Sequence, residues 1–124
     1  MLDQTNITSV GTLTGLTVSA DSTVNGVTVG KGANSVANNT ALGVNALDAS
    51  VTGQYNVALG INALTELTGG QSNTAVGGEA LDSLTTGSMN TAVGSEALDD
   101  CTDGSSNTAV GVNALQKTQL HLIT

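Results

Sequence analysis

Five copies of a 17-residue unit follow one another without insertion, and that period decides what the chain can fold into. Asn39-Thr-Ala-Leu-Gly43, Asn56-Val-Ala-Leu-Gly60, Asn73-Thr-Ala-Val-Gly77, Asn90-Thr-Ala-Val-Gly94 and Asn107-Thr-Ala-Val-Gly111 open the copies. Each is answered by an Ala-Leu pair, from Ala46-Leu47 to Ala114-Leu115. A unit this short has no room for a core of its own, so it buries apolar positions only by stacking on the next copy, as solenoid repeats do. Composition agrees: the chain has no Phe or Trp and one Tyr, Tyr55, beside 16 Gly. Aromatic rings dominate burial in ordinary cores; without them the core must be thin. So much Gly, Ser, Thr and Asn would otherwise suggest disorder, and the strict register argues against it. At a sheet spacing of about 4.8 Å per coil, five coils make a rod only ~24 Å long.

Numbering each copy from its Asn gives every column a physical task. Column four is branched (Leu42, Leu59, Val76, Val93, Val110) and column three is alanine (Ala41, Ala58, Ala75, Ala92, Ala109), so the two point to opposite faces of a short strand. The branched side is expected to fill the core, and the alanine side to admit a close neighbour, either the next coil or another subunit. Column five is always Gly, which suits a positive φ or a tight backbone approach. The Ala-Leu pairs are followed three residues later by Ser50, Leu67, Leu84, Cys101 and Thr118, which fits one turn of helix or a corner leading into a second short strand. Cys101 stands in a column with leucines and reads as a small buried hydrophobe rather than a reactive thiol. Gly53, Gly70, Gly87 and Gly104 mark a turn in each copy. The Asn of column one is expected to form a hydrogen-bonded ladder from coil to coil; the alternative is a ligand or ion site repeated along the rod.

The repeats divide the chain into four parts. Residues 1–30 form an N-terminal β-strand segment, rich in Val and Thr, in which Asn25-Gly26 predicts a tight hairpin turn. Residues 31–38 resemble a degenerate coil that caps the stack, residues 39–115 are the five coils, and residues 116–124 are a C-terminal cap or a truncated tail. The expected fold is therefore mainly β, a β-solenoid or β-roll with short helical turns.

Ten acids against two bases, Lys31 and Lys117, give a net charge of −8. Nucleic acid is excluded as a partner, because its binding requires Lys and Arg to neutralise phosphates. Apolar runs are too short for membrane insertion, and Met1-Leu2-Asp3 does not begin a signal peptide, so synthesis in a cytoplasm is expected. Without a secretory route, the triplets at Asn6 and Asn38 are chance matches to the glycosylation pattern.

Candidate chemistry fails at each place it can be sought. Gly26-Val-Thr-Val-Gly30-Lys31-Gly32 lacks both the glycine spacing and the Ser or Thr after Lys of a phosphate loop. His121 has no acid or nucleophile beside it in sequence. Asp99, Asp100 and Asp103 near Gly104 match no calcium-loop spacing and read as a solvated loop. Glu79 and Glu96 recur one coil apart, but register alone explains a carboxylate pair that a depolymerase would need. Tyr55 is a lone aromatic in a turn column. No catalytic, cofactor-binding or metal-binding residue is assigned, and the chain is read as not an enzyme.

The run Asn73-Thr-Ala-Val-Gly-Gly-Glu-Ala-Leu-Asp-Ser-Leu-Thr-Thr-Gly-Ser-Met-Asn-Thr-Ala-Val-Gly94, with the leading Ile7-Thr-Ser-Val-Gly-Thr-Leu-Thr-Gly-Leu-Thr-Val18, resembles repeats of tailed-phage tail fibres, especially from phages of aquatic bacteria. Asn56-Val-Ala-Leu-Gly60 is more weakly similar to the head repeats of trimeric bacterial adhesins, which are parallel β-rolls. The resemblance implies a homotrimer wound about a threefold axis, located in a virion as a tail fibre and contributing to host attachment. It implies other tail or capsid proteins as partners of the N-terminal segment, and a host-surface glycan or protein as receptor. A capsid-attached fibre or decoration protein and a carbohydrate-binding adhesin module are the alternative functions. Trimer contacts are expected along the alanine and glycine columns.

Overall fold

The computed structural model describes residues 18–117. The strands expected over residues 7–17, together with Thr118 and His121, lie outside the described residues. Seven short strands form one sheet in chain order: β1 Ser22–Val24, β2 Val27–Gly30, β3 Thr40–Gly43, β4 Val57–Leu59, β5 Thr74–Val76, β6 Thr91–Val93 and β7 Thr108–Val110. Strands β3 to β7 are parallel, and each residue pairs with its counterpart 17 residues on, as Ala75 does with Ala92. The protein is thus mainly β, a stack of coils in which like sits on like. β1 and β2 add an antiparallel hairpin to the first coil, with Val29 opposite Leu42. Its turn is Asn25-Gly26, at φ 50° and 81°, the left-handed pair that a two-residue hairpin demands.

The segment between hairpin and stack folds over the first coil. The Asp21 carboxylate accepts the backbone N–H groups of Lys31 and Gly32, at 2.7 and 2.6 Å. Ala33 N–H then donates to the Leu47 carbonyl at 2.8 Å, and Asn34 Nδ2 to the Val51 carbonyl at 3.1 Å. A single 3-10 turn, Ala33–Ser35, lies between these contacts.

The column-three alanines and the branched column face the reverse of the expected way. Ala41, Ala58, Ala75, Ala92 and Ala109 are buried, whereas Leu42, Leu59 and Val93 are 41%, 40% and 36% exposed. The reason is volume. The interior already holds Leu47, Leu64, Leu81 and Leu98 from the corner, with Leu67, Leu84 and Cys101 beyond them, in one continuous cluster. A narrow coil that accommodates two leucines on one wall leaves space for only a methyl group on the other. The core is therefore alanine against leucine, and the branched column faces outward.

The Ala-Leu segments are not helical turns. Each begins with a turn from the column-five Gly carbonyl to the Ala N–H, at 3.2–3.4 Å, in which Asn45, Asn62, Glu79, Glu96 or Asn113 has φ of 56–59°. The following Leu is also left-handed, with φ of 51–56° from Leu47 to Leu115. A helix would turn adjacent side chains about 100° apart, whereas this alternation points both Ala80 and Leu81 inward. The Leu N–H bonds across to the next coil instead, as Leu64 does to the Ala80 carbonyl at 3.1 Å.

One column slips. In the first coil Ser50 is exposed and Val51 is buried in its place, turned inward where the Val51 N–H bonds to the Ala49 carbonyl two residues back. Cys101 does occupy the leucine column and is buried, as its place in the repeat requires.

Candidate functional site

The interior columns are occupied by structure. Asn39, Asn56, Asn73 and Asn90 are at most 5% exposed, and each Oδ1 accepts the backbone N–H of the next Asn in the column, at 2.9–3.0 Å. Their Nδ2 groups donate to the carbonyls of Gly53, Gly70, Gly87 and Gly104, tying the strand to the turn of its own coil at 2.7–3.0 Å. Both ends of each buried amide are used, and among the described residues no buried side-chain polar atom lacks a partner. The ladder is an internal staple. Column-five Gly belongs to the same construction: at Gly77, φ is 137° and a Cβ would overlap the Gly94 carbonyl of the next coil.

The phosphate-loop look-alike resolves in the same way. Gly26 is the hairpin turn, and the Lys31 and Gly32 amides that a phosphate would need are taken by Asp21. Cys101 is enclosed; burial pushes its thiol up, against a smaller opposing hydrogen bond from the Gly104 backbone. Such a thiol stays protonated and unreactive.

The acids gather on the corner. Glu79 and Asp82 of one coil face the same solvent as Glu96 and Asp99 of the next, and Glu96 Oε2 accepts from Gln116 Nε2 at 2.6 Å. Burial is the main cause that raises the Asp82 carboxyl above its ordinary range, with Asp99, Glu66 and Glu79 adding repulsion. Asp99 is raised first by burial and then by Asp100, Glu79 and Glu96, against a lowering hydrogen bond from Gln116. Asp100 and Asp103 are exposed. Among the described residues no group of three His, Cys, Asp or Glu side chains is arranged to hold a metal ion, and no helix is long and apolar enough to cross a membrane. Tyr55 stands 59% exposed at a corner with φ 62°.

What remains is the outer face of the strand wall. Cross-strand partners share a face, so the pairing of Val29 with Leu42, and of Leu42 through Leu59, Val76 and Val93 to Val110, sets six branched side chains in one line. Thr and Val of column two flank the line on one side. On the other stand Val44, Ile61 and Val112 of column six, which are 37–74% exposed. Columns two, four and six hold no charged residue in any coil, whereas all eight acids of the coils lie in columns seven, ten, eleven and fourteen. This contiguous exposed apolar line makes the outer face of the strand wall the candidate interaction surface. Its signal was present in the sequence as the charge-free alternation of columns two, four and six, but it reads as core until the alanines are known to point inward. Comparison with protein-family models, with curated proteins and with solved structures finds no match.

Proposed function

We propose that this chain is a structural fibre protein of a virion, a segment of tail-fibre shaft that works as a homotrimer and contributes to host attachment. The observation that carries the reading is the division of the coil surface: a charge-free line of branched residues on one wall and every coil carboxylate on the others. A surface meant for water would not line up six aliphatic side chains, and an assembly of side-by-side rods covers such a line while leaving the acids solvated. The interior supports a mechanical role, since its polar groups are consumed in coil-to-coil bonds. The resemblance of Asn73–Gly94 to phage fibre repeats supplies the context, with the N-terminal segment docking on tail or capsid proteins. A capsid-attached fibre would present the same surfaces. Recognition of a host glycan by a repeated site is less well supported, because columns six and seven change from Val44-Asn45 to Gly78-Glu79. The test is immunogold labelling of intact virions, with sedimentation equilibrium of the purified chain. Label on fibres and a mass of three chains are expected; a folded monomer at every concentration rules the reading out.

A further inference from the structure

We propose that copies of this chain meet through the outer face of the β3–β7 wall, along the line Leu42, Leu59, Val76, Val93 and Val110, and not through the alanine and glycine columns. This rests on the side-by-side shaft reading and specifies its interface. The alanines are enclosed within their own coil, so they have no surface to offer a second chain. Column-five Gly backs directly onto the next coil of the same chain. The branched line is the reverse: outward, continuous across paired strands and, with its flanking columns, free of charge.

Charge selects the occupant. Each copy carries a net −8, so two copies repel wherever their acids face each other. Columns two, four and six form a strip on which an identical, acidic partner meets no carboxylate, and unlike the charge-free turn columns, which are mostly Gly, Gln and Ser, this strip carries an unbroken aliphatic line. The strip is also level, because Ile61 leans over the gap at Gly78, with its Cγ2 3.3 Å from where a Gly78 Cβ would stand. Both copies share one layer spacing, so aligned rods present matching rows at every coil. The wall is about 24 Å high and ~13 Å wide from strand rise and spacing, roughly 300 Å² of flat area. That is well below the roughly 800 Å² per partner of a standard specific interface, so association through one wall is weak and concentration-dependent.

The test is sedimentation velocity of the full 124-residue chain from about 1 to 200 µM, beside Val76→Glu, Val93→Glu and the control Thr86→Glu, which adds the same charge to an exposed corner. The wild type and Thr86→Glu are expected to associate over the same range, and the two strand-wall variants to require at least ~tenfold more protein. Association of Val76→Glu and Val93→Glu as tight as wild type overturns this interface while leaving side-by-side assembly standing. A wild type that stays monomeric throughout overturns both. If the glutamate variants lose their β circular dichroism, short bismaleimide cross-linking of Val76→Cys against Thr86→Cys decides, with buried Cys101 unlabelled. Linked chains from Val76→Cys alone support the interface; linkage only from Thr86→Cys refutes it.

Discussion

The strand wall, β3 to β7, uses extended backbone, and its side chains alternate simply between inside and outside. The corner wall from column seven to column twelve places two non-glycine residues of every coil in the left-handed region, Asn62 and Leu64 in the second coil and Glu79 and Leu81 in the third. Both walls hydrogen-bond from coil to coil, so the difference lies in what each must do with its side chains. The strand wall needs one residue in two inside. The corner must turn two adjacent residues, Ala and Leu, into the core and then reverse the chain, and an L-residue in the left-handed region costs about 1–2 kcal/mol. Stacking meets that cost twice in each corner and again at Tyr55, Ser72, Met89 and Ser106, the left-handed residues that lead into the staple Asn of the next coil, while the strands themselves stay extended.

The staple is where the comparison can be tested hardest. Asn73→Ala removes the acceptor used by the Asn90 N–H and Asn90 Nδ2, and the donor to the Gly87 carbonyl, all in the buried interior. Each orphaned buried group costs about 1–3 kcal/mol, so a loss of roughly 3–5 kcal/mol is expected. The measurement is the urea midpoint at constant m-value. A loss below about 1 kcal/mol would mean that the corner, not the staple, holds the coils together. Gly77→Ala comes next, at the junction of the two walls. Its Cβ meets the Gly94 carbonyl, and φ of 137° disfavours any side chain, so about 2–4 kcal/mol should be lost in the same assay.

These two columns were legible in the sequence, and so was the period. An invariant Asn and an invariant Gly at fixed spacing admit few explanations in a stack, and the structure finds a ladder and a close backbone approach. Cys101 was legible by its column. The direction of the strand was not, because alternation separates two faces without saying which is inside. The alanine column carried the answer in its constancy: Ala41 to Ala109 never change, as a volume-limited interior demands, while column four drifts between Leu and Val. That misreading also hid the candidate interface. The corner was illegible for another reason. Apolar residues at i and i+3 fit a helical turn, and nothing in the identity of Leu64 or Leu81 announces a left-handed backbone. The same spacing placed Ser50 in the core, where a local bond at Val51 shifts the chain by one residue.

Acid exposes the corner by a smaller effect. The Asp82 and Asp99 carboxyls are raised in the folded state above the ordinary value of 3.8, so the fold binds these protons more tightly than the unfolded chain does. Their contribution at neutral pH is unfavourable. It is relieved as pH falls through the raised folded values, and the relief is complete below 3.8. The urea midpoint is therefore expected to rise modestly from pH 7 toward pH 4, and Asp82→Asn should flatten that rise. A midpoint that falls over the same interval, in wild type and variant alike, would assign the corner no electrostatic penalty. Both groups are partly solvated, which keeps the effect small.

The smallest expected change goes in the favourable direction. Column seven is Asn in three coils and Glu in two, at the same left-handed φ of 56–59°. Asn tolerates that conformation better than Glu, whose longer side chain gains no local hydrogen bond there. Glu79 also adds to the repulsion that raises Asp82, whereas Asn45 and Asn62 hydrogen-bond to each other at 3.0 Å. Glu79→Asn should therefore stabilise the stack by about 0.5–1 kcal/mol, seen as a higher urea midpoint without a change in m-value. Glu96→Asn serves as the counterpart, because it sacrifices the bond from Gln116 and should gain less. If both substitutions destabilise equally, the corner is held by its glutamates and the left-handed column seven carries no strain. If only Glu79→Asn stabilises, the left-handed backbone of the corner carries strain that the stacked strand wall holds in place.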